Sequence, residues 1–561
     1  MKTSCEDDDS NVTYKDVVII GNGPSGICLS YMLAGNWPYY TGEPHPGDEM
    51  LTARLQYNTC LNNNEETTDI IKEDTNELED VTLTNTKRKV PHVTDCRTEV
   101  TEKKGLAHST RLRLENLSSG IEGRSGGRPL ALLMDQLQHP GVDAGLDIPS
   151  LLTWKSVDQF PEHKIIDHVV LGKGQPGGAW QSMDPNVLTI SLSRWMSLPD
   201  LDLRQWEMLM ESEHLQKGSF ADRESYSHQE KISACKTASR VSVGTVAAYY
   251  KDYVRRKGLE QYFRCGTVVT SVRPIITSNE RRDKHDWMVD GIEKKTGKRF
   301  RYRCKRVVLA SGTTDLFNNL GVPGENSQLD WVTHDLNDLE SRLEQFSNLQ
   351  CDSVVDQIKP VLVVGAGLSA ADAIMAARFH GIPVLHVFRD ASSEWSRQTS
   401  EKSKSSYDRL QWLPSSMYPE YHKVYEMMAD GGRNYPLYKA LPGYRLANLS
   451  ANNTSNEKIV TLCAPDGQLE TFQVSIAAIL IGYKADLSYL QFNGIGLGRY
   501  PDRPIDSKSN PIEVDNITYE VISAPRTGLY ALGPLVGDNF VRFILGGAFG
   551  ILAHILCTST V

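Results

Sequence analysis

Two glycine-rich hexapeptides have the residue types and spacing that bind the phosphates of a dinucleotide. The first begins at Gly21 and reads GNGPSG, which matches G-x-G-x-x-G. Gly21 allows a tight turn out of a strand, Gly23 leaves the backbone open to a pyrophosphate, and Gly26 lets the next helix pack closely. Free N–H groups at the start of that helix favour a phosphate, so Pro24 and Ser25 join the predicted binding residues. An ordinary glycine-rich turn is the alternative, and the flanking strand and helix favour the nucleotide site.

The second hexapeptide begins at Gly365, reads GAGLSA, and has the same strand-turn-helix context. Its third glycine is replaced by Ala370, which the dinucleotide fingerprint permits. We predict that Gly365, Gly367, Ser369 and Ala370 bind a second dinucleotide. The next strand ends at Arg389, where an acidic residue would bond the ribose of NAD and an arginine can pair with the 2′-phosphate of NADPH. Arg389 therefore favours NADPH, with a solvated surface arginine as the alternative.

Two such turns in one chain predict two cofactors, FAD at the first and NADPH at the second, as in enzymes that pass electrons from nicotinamide to flavin. Asp538 follows an apolar strand and a glycine, where such an aspartate typically bonds a ribityl hydroxyl of FAD. A plain helix N-cap is the alternative for Asp538. Gly178 and Trp180, in the segment PGGAW, complete the predicted cofactor-binding residues. Trp180 either packs near the cofactor or is an ordinary core aromatic.

Composition excludes several other classes of function. The net charge of −10 gives no support for nucleic-acid binding. The ten cysteines are scattered singly without a C-x-x-C motif, which argues against structural zinc and fits a reducing compartment. The acidic and polar start MKTSCEDDDS does not predict a secretory or mitochondrial signal. No Ser-His-Asp set or metal-binding set is recognisable, so the sequence assigns no metal ligand and no catalytic residue.

Runs of apolar β-formers and helical periodicity predict the elements that position these turns. Strands are predicted at Tyr14–Ile20, His168–Leu171, Thr267–Val272, Arg306–Ala310, Val361–Val364, Pro383–Phe388 and Ile476–Ile481. Helices are predicted at Ile27–Leu33, Leu130–Leu137, Val246–Lys257 and Ala371–His380.

Two further segments have two interpretations each. The apolar run Phe543–Cys557 is short for a membrane span and contains His554, so we interpret it as a buried core helix rather than an anchor. The aromatic segment Met417–Met428 predicts either a surface for a substrate or partner, or an amphipathic helix packed on the core.

The predicted fold class is α/β, of the two-dinucleotide-binding flavoprotein type, with a Rossmann-type NADPH domain inserted into a Rossmann-type FAD domain. The FAD domain is expected from three segments, 14–57, 106–358 and 475–561, and the NADPH domain from 359–474. Residues 58–105 are polar and poor in aromatics, which predicts a disordered insertion. The polar segments Lys217–Arg240 and Ser392–Ser406 predict loops.

The order of motifs resembles that of the flavin-containing monooxygenases. The motifs are Gly21–Gly26, Gly177–Trp180, Ser311-Gly312, Gly365–Ala370, Gly482-Tyr483 and Gly537-Asp538. More closely, the chain resembles the oxidative stress-induced growth inhibitor family. The stretches that carry this resemblance are GNGPSGICLSYMLAG, HVVLGKGQPGGAW, VLVVGAGLSAADA, MYPEYHKVYEMM and GLYALGPLVGDNFVRF. Together they sample nearly the whole chain outside the polar insertions.

The resemblance implies FAD and NADPH binding and monooxygenase activity on an unknown small-molecule substrate. It also implies a link to growth control, cytokinesis or germ-cell maturation, and with it protein partners in growth or division control. The implied location is the cytoplasm, with the midbody as a further site.

Three features depart from the monooxygenase pattern. The strand before GGAW ends in Leu171-Gly172-Lys173, without the acid that usually holds the FAD ribose. The signature F-x-G-x-x-x-H is represented only by His334, and a long insertion separates the first helix from the second strand. Two alternatives therefore stay open: a regulatory interaction protein on a flavoprotein scaffold with little or no turnover, or an NADPH oxidase that releases hydrogen peroxide. The missing C-x-x-C disfavours a disulfide reductase.

Overall fold

A computed structural model describes most of the chain outside the polar segments. It describes residues 12–65, 113–121, 127–141, 146, 148–217, 239–275, 286–325, 329–349, 359–389, 408–452 and 457–559. The predicted loop Ser392–Ser406 lies outside these residues, as does Lys217–Arg240 except at its ends. The predicted disordered insertion 58–105 lies outside them from residue 66 onward. The helix Glu49–Glu65, whose side chains Leu51 and Leu55 are buried, extends into the first residues of this predicted insertion.

The helices and strands are numbered in chain order. The helices are α1 (Pro24–Leu33), α2 (Glu49–Glu65), α3 (Pro129–Gln138), α4 (Leu203–Lys217), α5 (Val243–Arg256), α6 (Leu336–Leu349), α7 (Leu368–Phe379), α8 (Asp408–Gln411), α9 (Pro419–Ala429) and α10 (Ile544–Ser559). The strands are β1 (Val12–Ile20), β2 (Trp37–Tyr40), β3 (Leu152–Lys155), β4 (His168–Gly172), β5 (Phe263–Cys265), β6 (Thr267–Pro274), β7 (Trp287–Glu293), β8 (Arg299–Leu309), β9 (Leu316–Phe317), β10 (Val332–Thr333), β11 (Val361–Val364), β12 (Val384–Phe388), β13 (Tyr438–Pro442), β14 (Arg445–Asn452), β15 (Glu457–Cys463), β16 (Leu469–Gln473), β17 (Ala477–Ile479), β18 (Tyr483–Lys484) and β19 (Leu529–Ala531).

The chain forms two compact units, the first from Met1–Thr313 with Ala485–Val561, and the second from Thr314–Lys484. The second unit is wider than the predicted domain at 359–474. It takes in β10, which pairs with β17, and β9, which pairs with β18. The strands β9, β10 and β18 are each two residues long, too short for a sequence pattern to predict.

The sheet of the first unit has the order β5-β4-β1-β8-β7-β6, with β19 added to β8. β1 is parallel to both of its neighbours, β4 and β8. Four consecutive apolar residues, Val17 to Ile20, are buried in β1, as expected for a parallel strand that is covered on both faces. The unit β1-α1-β4 therefore has its glycine turn at the carboxyl end of the sheet, where α/β proteins bind ligands.

The sheet of the second unit has the order β10-β17-β11-β12-β13, and all of its strand pairs are parallel. β11, α7 and β12 form the second β-α-β unit that the sequence predicts. An antiparallel sheet, β14-β15-β16, packs into the same core through Leu449 and Val460. The protein is thus an α/β fold with two Rossmann-type units.

The two segments with alternative interpretations are both buried helices. Tyr421, Val424 and Met427 of α9 are buried, so the aromatic segment packs on the core of the second unit. By length and apolarity alone Val541–Thr558 could cross a membrane, and 56% of it is buried inside the protein. A Cβ atom at Gly546 of α10 would overlap the Ala131 backbone of α3, which agrees with a helix packed in the core.

Candidate dinucleotide sites

The first glycine turn is held closely between neighbouring strands. Gly21 has φ = +118°, and a Cβ atom on it would overlap the carbonyl oxygen of Ala310 after β8. A Cβ atom on Gly26 would overlap the carbonyl oxygen of Gly21, so α1 lies directly on the turn. The backbone N–H of Gly21 donates to Leu171 O over 2.8 Å. Both outer glycines are therefore required by the protein's own packing.

The middle glycine is different, because the described residues leave open the space that its side chain would fill. A Cβ atom on Gly23 would meet nothing within 4 Å in the described structure. Gly23 is the N-cap of α1, no side chain caps the helix, and Pro24 has no N–H to offer. The N–H groups of the first turn of α1 thus face an open space next to Gly23, which we call the cradle. A side chain at position 23 would enter this cradle, whereas glycine leaves it free. This arrangement fits the pyrophosphate of a dinucleotide.

The GGAW segment lies over this cradle. The Gly177 N–H donates to Asn22 O over 2.9 Å, and a Cβ atom on Gly178 would lie 3.0 Å from Gly23 Cα. Gly178, with φ = +60°, therefore allows the segment to approach the turn. Trp180 is half-buried and packs edge-on against Tyr250, with ring centroids 6.1 Å apart. This contact is compatible with both interpretations of Trp180, and its predicted cofactor contact stays a prediction.

The predicted flavin residue Asp538 lies in a buried network rather than at a helix N-cap. Asp538 is 4% exposed, and its Oδ2 accepts a hydrogen bond from the Tyr519 hydroxyl over 2.9 Å. Burial raises the pKa of Asp538 to about 6, and nearby Arg128 and the Tyr519 hydroxyl partly offset the rise. The residue that approaches the first glycine turn is instead Gly533, whose Cβ atom would overlap Ser25 Oγ. A ribityl contact of Asp538 stays a prediction.

The second glycine turn repeats the geometry of the first. Gly365 has φ = +134°, and a Cβ atom on it would overlap the Leu480 carbonyl oxygen that follows β17. Gly367 is the uncapped N-cap of α7, and its Cβ atom would meet nothing within 4 Å in the described structure. Ala370 is 1% exposed, so its methyl group fills the place of the third glycine, while Ser369 is half-buried on the first turn of α7.

A buried histidine, which no sequence motif predicts, supports this second turn. His386 in β12 lies 2.6 Å from Gly365 O through Nε2 and 2.8 Å from the Tyr438 hydroxyl through Nδ1. The carbonyl can only accept, so Nε2 carries the proton and Nδ1 accepts from Tyr438. Burial lowers the pKa of His386 to about 4, which keeps the imidazole neutral at physiological pH. The only sequence signal is a polar residue within the apolar strand VLHVF.

Arg389 lies where the sequence places it, directly after β12 and exposed to solvent. Gly365 N–H donates to Val387 O over 3.0 Å, so the end of β12 runs beside the glycine turn. Within the described part of the chain Arg389 has no ion-pair partner. A phosphate near the end of β12 could therefore pair with it.

His334, the remaining part of the monooxygenase signature, closes a loop of the second unit. Its Nε2 is 3.1 Å from Glu325 Oε1, and the same carboxylate accepts the Leu320 and Gly321 N–H groups over 3.0 and 2.7 Å. Burial acts to raise the pKa of Glu325, but these hydrogen bonds outweigh it and lower the pKa. The His334 side chain is thus engaged in holding the loop Leu320–Glu325.

An acid is missing from the end of β4, and the structure gives the steric reason. A Cβ atom on Gly172 would overlap the side-chain amide of Asn22, which is 4% exposed and donates to Gly174 O over 2.8 Å. Asn22 therefore occupies the space that the Cβ atom of an acidic residue at position 172 would need. Asn22 is an x position of the G-x-G-x-x-G pattern, so the pattern does not predict this role.

The chain is similar to known proteins over nearly its full length. The chain is 35% identical over 573 residues to human oxidative stress-induced growth inhibitor 2, which covers 97% of this chain and 93% of that protein. No protein-family model matches the chain. Among solved structures, bacillithiol disulfide reductase from Bacillus cereus is similar with a TM-score of 0.48 and 13% identity, over 97% of this chain and 99% of that one. The reduced form of ornithine hydroxylase from Pseudomonas aeruginosa is similar with a TM-score of 0.48 and 12% identity. This similarity covers 97% of this chain and 100% of that one.

Proposed function

This chain belongs to the oxidative stress-induced growth inhibitor family, and we propose that it is an NADPH-dependent FAD monooxygenase with a regulatory role in cell growth. The proposal places FAD at the turn that begins at Gly21 and NADPH at the turn that begins at Gly365. The substrate is a small molecule of unknown class. The proposed setting is growth or division control, cytokinesis or germ-cell maturation, in the cytoplasm or at the midbody.

The observation that carries the proposal is the contrast between the glycines of each turn. Gly21 and Gly365 are required because a side chain would collide with a neighbouring backbone carbonyl. Gly23 and Gly367 are not required for packing, since a side chain there would meet no protein atom within 4 Å in the described structure. An open, uncapped helix N-terminus next to such a glycine supports phosphate binding at both turns.

The residues of the chain have separable tasks in this proposal. At the first turn, the N–H groups of α1 bind the pyrophosphate and Gly178 lets the GGAW segment cover it. At the second turn, α7 binds the other pyrophosphate, His386 holds the Gly365 carbonyl, and Arg389 pairs with the 2′-phosphate. Bound FAD and NADPH supply the oxidation–reduction chemistry, which belongs to the cofactors rather than to protein side chains.

A regulatory protein with little turnover is the second candidate, and two observations favour it. The end of β4 carries Gly172 instead of an acid, and Asp538 is 4% exposed and already bonded to Tyr519. Both features reduce the number of side chains that could hold a flavin tightly.

The visible spectrum of the purified protein, before and after NADPH is added without oxygen, separates the two candidates. A flavin band that NADPH bleaches supports the enzyme. A colourless protein that takes up no added FAD contradicts it and supports the regulatory scaffold. With oxygen present, amines, thioethers and ketones are then added as candidate substrates. If the hydrogen peroxide formed equals the NADPH consumed with each of them, the result supports an oxidase instead.

A further inference from the structure

The side chain of Asn22 lies over the end of β4, next to the first glycine turn. We propose that Asn22 Oδ1 accepts a hydrogen bond from a ribose hydroxyl of the adenosine part of the dinucleotide, in place of a strand-end carboxylate. This inference rests on the proposed function, because it assumes that the first turn binds a dinucleotide.

The orientation of the Asn22 amide is determined by its neighbours. Asn22 Nδ2 is 2.8 Å from Gly174 O and 3.9 Å from Cys265 Sγ. A backbone carbonyl can only accept, so the nitrogen, not the oxygen, must face Gly174. Asn22 Oδ1 accepts no hydrogen bond from the residues that the structure describes, although Asn22 is 4% exposed. A nearly buried amide thus keeps one acceptor for a ligand.

The amide also lies in the right place. Gly172 is the last residue of β4, which is the neighbour of β1 in the sheet, with Ile20 in register with Leu171. In Rossmann folds the ribose lies outside the carboxyl end of this neighbouring strand. A Cβ atom on Gly172 would lie 2.7 Å from Asn22 Oδ1, and closer still to the amide nitrogen. A carboxylate at 172 and an amide at 22 therefore exclude each other.

The charged groups beside this position are engaged elsewhere. Lys173 Nζ is 3.0 Å from Asp486 Oδ2, and Asp486 Oδ1 accepts from the Ser488 hydroxyl over 2.6 Å. The Asp486 carboxylate is therefore bound by two partners of its own. This leaves the neutral amide oxygen of Asn22 as the acceptor that the geometry favours for a ribose hydroxyl.

A neutral acceptor has a measurable signature. A hydrogen bond between neutral groups changes a dissociation constant by about 2- to 10-fold, less than a bond to a carboxylate. An amide does not titrate, so the preference for the ribose hydroxyls should not change with pH.

The test compares two ligands and four proteins. The ligands are FAD and an FAD analogue whose adenosine ribose lacks the 2′- and 3′-hydroxyl groups, and binding to the flavin-free protein is followed by flavin fluorescence. Wild type should prefer FAD, and Asn22→Ala should reduce this preference by about 2- to 10-fold. Gly172→Ala should have the same effect, because the added methyl group displaces the amide without removing it. Asn36→Ala is the control, since Asn36 makes a similar bond, to Tyr31 O over 2.9 Å, at the far end of α1.

Each outcome decides a different point. If wild type binds FAD and Asn22→Ala keeps the full preference, the role of Asn22 is overturned and the proposed function stands. If wild type binds neither ligand, the proposed function itself fails. If Asn22→Ala does not fold, Gly172→Ala decides by the same comparison.

Discussion

The imidazole of His386 and the carbonyl of Gly365 are joined by a hydrogen bond of 2.6 Å. Gly365 begins the second glycine turn, and His386 belongs to the strand on the other side of α7. The bond therefore ties the turn to β12, and the Tyr438 hydroxyl, 2.8 Å from Nδ1, holds the histidine from β13. A buried histidine so placed restrains the turn that we propose binds NADPH.

Removing this bond should loosen the second turn. His386→Ala leaves the Tyr438 hydroxyl and the Gly365 carbonyl without their partner and creates a cavity, so the free energy of unfolding should fall by about 2–4 kcal/mol. Tyr438→Phe removes only the hydroxyl and should cost about 1 kcal/mol. NADPH affinity, measured by fluorescence titration, should fall in both variants and more in the first. An unchanged NADPH affinity in a folded His386→Ala protein would show that the bond is purely structural.

The same histidine predicts an acid limit of stability. The pKa of His386 is lowered from 6.5 to about 4 by burial, and His168, buried in β4, has the same shift. Between about pH 4 and 6.5 the unfolded chain therefore binds more protons than the folded protein. The contribution of these two histidines to stability is complete above pH 6.5 and is lost as the pH falls to about 4 and below. Chemical unfolding at a series of pH values checks this. His386→Gln should show a shallower decline, and an identical slope would contradict the assignment.

Asp538 predicts the opposite trend in a similar interval. Burial raises the pKa of Asp538 from 3.8 to about 6, so between these pH values the folded protein binds a proton that the unfolded chain has released. The stability that this proton provides is lost as the pH rises through about 6. Asp538→Asn keeps an acceptor for Tyr519 without the buried charge, and it should raise stability at neutral pH by roughly 1–3 kcal/mol. The matched measurement is FAD affinity. A weaker affinity in this more stable variant supports the predicted ribityl contact, and an unchanged affinity speaks against it.

The middle glycines should be dispensable for folding and essential for binding. Gly23→Val should weaken FAD binding by at least about tenfold and leave the circular dichroism spectrum and melting temperature unchanged, since the side chain enters the open cradle. Gly367→Val should do the same to NADPH. Gly21→Ala is the contrasting variant, because its methyl group collides with Ala310 O and the protein itself should be destabilised. Full FAD affinity in a folded Gly23→Val protein would exclude this turn as the flavin site.

Arg389 should decide between the two nicotinamide cofactors. A charge-assisted bond to the 2′-phosphate corresponds to about 1.5–3 kcal/mol, so Arg389→Ala should raise the KM for NADPH by about 10- to 100-fold and leave that for NADH nearly unchanged. Arg433→Ala is the control, since Arg433 is an exposed arginine of the same unit. Equal effects of Arg389→Ala on both cofactors would remove the 2′-phosphate from the proposal.

The sequence alone was sufficient for the parts of the fold that are local in the chain. The run Val17 to Ile20, the glycine turn and α1 follow one another directly. Their strand, turn and helix signals therefore predict the first half of a β-α-β unit without knowledge of the other strands of the sheet. The same holds for β11, α7 and β12. Arg389 was predictable as well, because its place depends only on where β12 ends.

Contacts between distant segments were decided only by the tertiary structure. Asn22 meets Gly172 because β4 pairs in parallel with β1, and a hexapeptide pattern contains no information about this register. His386 reaches Gly365 because β11 and β12 are neighbours, whereas the sequence shows only a polar residue in an apolar strand. Asp538 is predictable as a candidate, but its hydrogen bond with Tyr519 is not, because Tyr519 lies outside the local motif. Local order is encoded by residue propensity and spacing, whereas the partner of a buried polar group depends on which strands the fold makes adjacent.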